Sequence, residues 1–267
     1  MTSSDVMKVH PDLEYAVAAG QPLLLDLYVP GDSDAAPVCI WLHGGAWLVG
    51  DRVTEVERLA QGMVERGIAF ASLDYRLGPA GAFPASINDV RAAVRWLRQH
   101  GDEYSLATDR MAAWGASAGG HLALMAALAT EEKAEDWLSA VIACFAPTDL
   151  PARLSRTPLE RQILRDPPDI AYLATDPAAP DLTKARQASP LYQRLDHAPP
   201  VLLVHGDRDQ QMALDQSERM HQALVAAGRD STLLVLGGVG HEDPRFRDPW
   251  LLDVVAAFVH RHLSGEL

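Results

Sequence analysis

Residues 111–121 read MAAWGASAGGH, and this stretch decides the fold. The apolar run 111–114 is typical of a short buried strand, and the apolar spacing after Ser117 predicts a helix. Glycines at 115 and 119 let the backbone turn back sharply, which presents the Ser117 hydroxyl at the beginning of that helix. An incidental serine in a glycine-rich connection is the alternative, but the strand–turn–helix context predicts a nucleophile.

Strand-like and helical runs alternate outward from this turn. Eight strands are predicted, at residues 15–18, 23–29, 38–42, 68–73, 111–114, 141–145, 201–204 and 233–236. The first two are expected to form an antiparallel pair around Gly20, and helical spacing occurs in 51–66, 90–97, 122–128 and 251–259. The sequence therefore predicts an α/β fold, with a mostly parallel eight-stranded sheet flanked by helices in a single domain of residues 1–267.

The alternation of strands and helices is interrupted at residues 147–195. They contain eight prolines and no clear strand. An irregular surface excursion is one interpretation of this segment. A small cap or lid insertion over the site is favoured, because such insertions lie where ligands enter α/β folds.

Composition excludes several classes of protein. The 267-residue chain is 48% hydrophobic, and its apolar stretches are shorter than the roughly 20 residues of a membrane helix. Its net charge of −13 disfavours binding to nucleic acid or to anionic membranes. The amino terminus has no basic-then-apolar pattern, which predicts a cytoplasmic protein. Cys39 and Cys144 lie in apolar runs and are predicted to be buried free thiols rather than a disulfide.

A serine nucleophile needs a base and an acid that orients the base, each placed after a later strand. Of the ten histidines, His241 alone lies in a glycine-rich loop after the last strand. Asp207 and Asp209 both follow the preceding strand. Asp209 is favoured as the acid because it lies further beyond the strand and can reach back to a histidine, whereas Asp207 would hold the loop. His205, in the same loop, is expected to make a structural hydrogen bond.

The sequence HGGAW at 43–47 follows the first central strand. Glycines there allow backbone N–H groups to face a carbonyl oxygen, so Gly44, Gly45 and the N–H of Ala118 are candidates for an oxyanion hole. An ordinary glycine turn is the alternative. His43 is expected to brace the loop, and Trp47 either walls a substrate pocket or packs in the core.

These motifs together resemble a known family. The segments HGGAW (43–47), DYRL (74–77), GASAGGH (115–121), HGDRD (205–209) and GH (240–241) are similar to the hormone-sensitive-lipase-like branch of the α/β-hydrolases. Within it, the chain resembles small bacterial carboxylesterases and feruloyl-esterase-like members. The resemblance runs from about residue 23 to the end and is poor over 147–195.

The resemblance implies an α/β-hydrolase fold and a triad of Ser117, Asp209 and His241. It also implies an oxyanion hole of Gly44, Gly45 and Ala118, and relatives that are often dimers, so a homodimer is expected. The chain departs from the family pattern at 78–79, where GP replaces Ala-Pro, and at 211–213, where QMA stands in place of a usual Val-Pro. Neither departure touches a predicted catalytic role.

Three functions are compatible with these residues to different degrees. The favoured one is a carboxylesterase that hydrolyses short-chain acyl or aryl esters of small molecules through an acyl-enzyme, with no metal or organic cofactor. An arylformamidase, which hydrolyses N-formyl amides, would use the same motifs. A non-catalytic binding protein on a hydrolase fold would be expected to lack a triad residue, and here all three are present.

Overall fold

Eight strands form one sheet in the computed structural model, which describes residues 7–128 and 138–264. In chain order the strands β1 to β8 are Met7–Ala18, Gln21–Pro30, Ala36–Leu42, Ala69–Leu73, Leu106–Ala116, Ala140–Cys144, Val201–Gly206 and Ser231–Leu236. Their spatial order is β1-β2-β4-β3-β5-β6-β7-β8. The pairs β1–β2 and β2–β4 are antiparallel and the remaining pairs are parallel. The predicted eight-stranded, mostly parallel sheet is confirmed.

Helices cover both faces of the sheet because the central strands are apolar on both sides. The helices α1 to α9 are Val56–Val64, Ala85–His100, Ala118–Leu128, Leu150–Leu154, Pro158–Ile163, Pro168–Leu173, Leu182–Gln187, Asp215–Ala226 and Pro249–Leu263. Side chains of α2, α3 and α8 pack in one core layer. Those of α1 and α9 form the other, which also contains Cys39 and Cys144.

The helix predicted within 51–66 begins later than its apolar spacing indicates. The Asp51 carboxylate accepts hydrogen bonds from the backbone N–H groups of Val53 and Thr54, which holds a turn there. Glu55 then takes a left-handed conformation at φ 59°, so α1 begins at Val56. Local side-chain bonding to the backbone competes with the helix at its start.

Both cysteines are buried and free, as predicted. Burial raises the pKa of the Cys144 thiol to about 12, which outweighs the opposite effect of a 3.3 Å hydrogen bond from Trp114 Nε1. Among the helices in residues 7–128 and 138–264, none combines the length and the hydropathy of a membrane-spanning helix. Residues 1–6, on which the prediction of a cytoplasmic protein depends, lie outside the described residues, and that prediction stays a prediction.

Residues 147–195 form a compact excursion between β6 and β7. They contain the four short helices α4 to α7. Where the excursion begins and ends, the backbone N–H of Leu191 donates to the carbonyl oxygen of Thr148 at 3.1 Å. Next to it, the N–H of Leu150 donates to Ser189 Oγ at 2.9 Å. The two ends of the segment are therefore fastened to each other at the carboxyl edge of the sheet.

Candidate active site

The turn around Ser117 is a sharp, strained connection between a strand and a helix. Ser117 lies between β5 and α3 with φ 52°, a left-handed conformation that costs free energy for a residue with a side chain. Its N–H donates to the carbonyl oxygen of Cys144 at 2.9 Å, and its carbonyl oxygen accepts from the N–H of His121 at 3.0 Å. A side-chain carbon at Gly119 would lie 2.0 Å from the carbonyl oxygen of Leu42, so only glycine fits there.

Ser117, His241 and Asp209 lie in one hydrogen-bonded chain. The Ser117 Oγ is 3.1 Å from His241 Nε2, and His241 Nδ1 is 2.7 Å from Asp209 Oδ2. The three residues come from the ends of β5, β7 and β8, which are parallel and meet at one edge of the sheet. The Phe145 ring packs against the imidazole of His241 with a centroid separation of 4.6 Å. The sequence-predicted nucleophile, base and acid are thus brought together.

The structure distinguishes the two carboxylates of the 205–209 loop. Asp207 Oδ1 accepts a hydrogen bond from the N–H of Gly238 at 2.6 Å, so it joins its loop to the His241 loop. Asp209 faces His241 with its side chain fully buried, and its other oxygen accepts from the N–H groups of Gln211 and Met212. The structural role expected of Asp207 agrees with this geometry.

The Asp209 carboxylate is held in its ionised form. Burial opposes ionisation, but hydrogen bonds from His205, His241 and the Met212 N–H outweigh burial and hold the pKa of Asp209 well below its usual range. Because this pKa is depressed, the interaction stabilises the fold at neutral pH, and that stabilisation is lost only as the pH falls through the depressed value. His205 is buried and bonds to Ser217 Oγ at 2.7 Å, a structural contact of the kind expected.

The 43–50 loop passes directly beside Ser117. A side-chain carbon built at Gly44 would lie 3.7 Å from Ser117 Cβ, so the Gly44 backbone borders Ser117. His43 Nδ1 is 2.6 Å from the Gly44 carbonyl oxygen, and its ring stacks on Tyr75. Burial lowers the pKa of His43, which favours a neutral ring that braces the loop. Ala118 begins α3, where the first N–H groups have no acceptor within the helix.

Trp47 packs in the core, which corrects the pocket-wall alternative. Its side chain is only 2% exposed and stacks on Tyr172 with ring centroids 4.3 Å apart. The His121 ring also packs against Trp47, in an edge-to-face arrangement. Burial lowers the pKa of His121 to about 4. The stacking of Trp47 on Tyr172 therefore joins the 43–50 loop to the segment that follows β6.

Gly45 cannot take a side chain without displacing part of the 43–50 loop. Its φ of +113° is one that residues with side chains rarely adopt, and an added Cβ would lie 1.9 Å from the Val49 carbonyl oxygen. We expect Gly45→Ala to lower kcat/KM for p-nitrophenyl butyrate by about a hundredfold, because the loop must move away from Ser117. Gly20→Ala is the matched control, since Gly20 has φ +76° and nothing within 4 Å of an added Cβ. Equal activity of the two variants would contradict the importance of this loop.

Two cavities lie near Ser117 and His241. The first, of about 390 Å³, borders Gly44, Gly45 and Ala116 and has aromatic walls formed by Trp41, Trp114, Phe145 and Phe246. The second, of about 380 Å³, borders His241 and is lined largely by the 153–168 part of the excursion. Sequence reasoning did not identify the arginines of the second cavity, although four arginines in residues 153–165 of an acidic chain were a usable signal.

The polar side chains of the site are arranged to bond to one another rather than to a metal ion. Within residues 7–128 and 138–264, no group of three or more His, Cys, Asp or Glu side chains is arranged to hold a metal ion. His241 and Asp209 instead bond to each other, with Asp209 Oδ2 shared between His241 and, at 3.5 Å, His205.

Comparison with known proteins relates the chain to esterases. Residues 25–224 match the BD-FAE family model. Esterase LipC of Mycobacterium tuberculosis (strain ATCC 25618 / H37Rv) is 30% identical over 230 residues, which cover 82% of this chain and 56% of LipC. The isoprenylcysteine alpha-carbonyl methylesterase ICME of Arabidopsis thaliana is 28% identical over 259 residues, 88% of this chain and 59% of ICME. The chain thus spans somewhat over half the length of these curated relatives.

Solved structures of esterases share the fold. A truncated carbohydrate esterase from gut microbiota superposes with a TM-score of 0.85 at 22% identity, covering 99% of both chains. The thermostable carboxylesterase EstE1, cloned from a metagenomic library, superposes with a TM-score of 0.78 at 22% identity, covering 96% of this chain and 89% of EstE1. The predicted α/β-hydrolase fold is therefore confirmed.

Proposed function

The chain belongs to the BD-FAE family of α/β-hydrolase esterases, and on that premise we propose that it is a serine carboxylesterase acting on small-molecule esters. The observation that carries the proposal is the chain of two hydrogen bonds from Ser117 through His241 to Asp209, 3.1 and 2.7 Å long. The two adjoining cavities, of about 390 and 380 Å³, have room for short acyl or aryl groups.

The first half of the reaction forms an acyl-enzyme. Ser117 Oγ attacks the ester carbonyl carbon while His241 Nε2 takes the hydroxyl proton, and Asp209 stabilises the imidazolium. The N–H groups of Ala118, Gly44 and Gly45 are proposed to hold the oxyanion of the tetrahedral intermediate. The intermediate collapses as the carbon–alkoxide bond breaks, and the alcohol leaves with the proton from His241.

The second half releases the acid. A water molecule gives a proton to His241 and attacks the acyl carbon, which forms a second tetrahedral intermediate in the same oxyanion hole. The bond to Ser117 Oγ then breaks, and the serine recovers its proton from His241. Every proton transfer in this scheme passes through His241, and each step uses only side chains, backbone N–H groups and water.

Labelling with a fluorophosphonate tests the nucleophile independently of the choice of substrate. The Ser117 oxygen is expected to attack phosphorus and displace fluoride, which gives one label per chain on the peptide that contains Ser117. Denaturation before labelling should abolish the reaction, because the activating contact to His241 is lost. Peptide mass spectrometry that finds the label on another residue, or no label on the native protein, would refute the proposed mechanism.

Rates on different bonds test the proposed substrate class. We expect p-nitrophenyl butyrate and phenyl acetate to be hydrolysed faster than N-formylkynurenine under the same conditions. A clear preference for the N-formyl amide would replace the carboxylesterase with an arylformamidase. The assignment of Ser117, His241 and Asp209 would survive that result.

A further inference from the structure

Although the chain as a whole is negatively charged, the cavity that borders His241 has mainly positive side chains among its charged lining residues. Arg153, Arg156 and Arg165 line it, and among its described lining residues Asp166 is the single carboxylate. The chain as a whole has a net charge of −13. Three guanidinium groups beside a catalytic histidine are therefore not explained by overall composition.

Arg153 is held in place by contacts with two neighbouring side chains. Its Nε and Nη2 donate to the two carboxylate oxygens of the fully buried Asp169 at 2.7 and 2.9 Å, so its charge is balanced. Its Nη1 is 3.2 Å from the sulfur of Met212. Met212 belongs to the 211–213 stretch that departs from the family pattern. The contact therefore fastens the 147–195 segment to the loop that holds Asp209.

Neither Arg156 nor Arg165 forms an ion pair with a residue in the described part of the chain, although the Glu160 carboxylate lies near enough to Arg156 for their charges to attract. Arg156 Nη1 donates to the backbone carbonyl oxygen of Arg165 at 2.7 Å, a neutral acceptor. The nearby Glu160 carboxylate is engaged by the Thr157 hydroxyl and N–H at the start of α5. The Arg165 guanidinium makes no hydrogen bond or ion pair with a residue in the described part of the chain. Both groups are thus available to a ligand in the cavity.

The other cavity, which borders Gly44 and Ala116, has the opposite charge. Its described lining includes four carboxylates against a single arginine: Asp51, Glu55, Glu242, Asp243 and Arg247. Its other lining residues include the aromatic side chains of Trp114 and Phe145. An anionic group on a substrate is therefore repelled from this cavity and attracted to the arginine-lined one. An uncharged or aromatic group suits the cavity with aromatic walls.

We propose that the preferred substrates are esters bearing a carboxylate, which Arg156 and Arg165 hold while the uncharged part occupies the aromatic cavity. Guanidinium groups bind carboxylates through paired, charge-assisted hydrogen bonds. The inference rests on the proposed function, since it concerns which esters that site accepts. It names the chemistry of the recognised group and leaves to experiment whether that group belongs to the acid or to the alcohol of the ester.

Two pairs of esters distinguish these possibilities. Monomethyl adipate against methyl pentanoate places the carboxylate on the acyl side, and p-acetoxybenzoate against phenyl acetate places it on the alcohol side. The measured quantity is the ratio of kcat/KM for the charged ester to that for its neutral partner. In the double variant Arg156→Gln/Arg165→Gln we expect this ratio to fall by about fivefold to tenfold for one of the two pairs of esters. A fall of this size is expected when two solvent-accessible ion pairs with the substrate carboxylate are lost. The pair that responds identifies the side.

Controls separate recognition from changes of overall charge or folding. Arg194→Gln removes the same charge at an exposed site, paired with Asp196 outside both cavities, and should leave the ratio unchanged. Arg165→Gln alone deletes a charge without deleting a hydrogen bond to a described residue, so it replaces the double variant if that protein does not fold. Added salt should lower the ratio of the native enzyme more than that of the variant.

The outcomes are distinguishable from failure of the proposed function. A ratio within about twofold of the native value for both pairs, with neutral esters still hydrolysed, would overturn the carboxylate preference alone. Native enzyme that hydrolyses none of the four esters would overturn the proposed function instead. A fall of the ratio in the arginine variant but not in Arg194→Gln would support the inference.

Discussion

Replacing Ser117 with alanine is expected to lower kcat/KM for p-nitrophenyl butyrate by at least about a thousandfold, because the attacking oxygen is removed. The fold should survive, since within the described residues the Ser117 hydroxyl bonds only to His241 Nε2. Alanine and serine are similarly strained at a φ of 52°, so the turn itself should persist. Steady-state kinetics and a thermal melt of the same preparation check both statements.

Ser33→Ala is a suitable control for this substitution. Ser33 lies between β2 and β3, and its hydroxyl accepts an exposed hydrogen bond from the N–H of Ala35. Its loss should leave kcat/KM within a few-fold of the native value. Comparable activities of Ser117→Ala and Ser33→Ala would rule out Ser117 as the nucleophile.

Asp209→Asn should lower kcat by about a thousandfold to ten-thousandfold, since an amide can donate to His241 Nδ1 and so stabilise the wrong tautomer of the imidazole. In that tautomer Nε2 carries a proton and cannot accept one from Ser117. The backbone contacts to Gln211 and Met212 use the other oxygen of Asp209, so they should be retained. The loss is therefore expected in kcat, with a smaller effect on folding.

Asp207→Asn is the matched control, two residues away in the same loop. An asparagine oxygen can still accept the hydrogen bond from the Gly238 N–H, and it is Asp209 rather than Asp207 that bonds to His241 and sets its tautomer. We expect activity within a few-fold of the native enzyme. A larger loss in Asp207→Asn than in Asp209→Asn would reverse the assignment of the acid.

Most of the sheet was predictable because its central strands are apolar on both faces, which is the pattern that a buried parallel strand requires. The strand β1 was only partly predicted, at 15–18 rather than from Met7. It lies at the edge of the sheet and pairs on one side only, so polar residues such as Lys8 and Glu14 are tolerated along it. Burial at an edge is too weak to impose a clear alternation.

The proximity of Ser117, Asp209 and His241 was predictable because parallel strands bring their carboxyl ends to one edge, so position along the chain fixes position in space. The orientation of Trp47 was not predictable, because it depends on stacking with Tyr172, which lies 125 residues further along the chain in an irregular segment. The arginine-lined cavity was missed for the same reason. Its geometry depends on the contact between Arg153 and Met212, which no local pattern encodes.

The hydrogen bond between Leu191 and Thr148 makes residues 147–195 a cassette whose two ends lie next to each other beyond the end of β6, before the chain continues to the start of β7 at Val201. Loops whose ends are pinned together can change in length and sequence with little entropic cost to the rest of the domain. Selection could therefore exchange the arginines of this cassette for other side chains while Ser117, His241 and Asp209 stay in place. Transplanting a relative's cassette between these two points would then be a direct route to altered substrate choice.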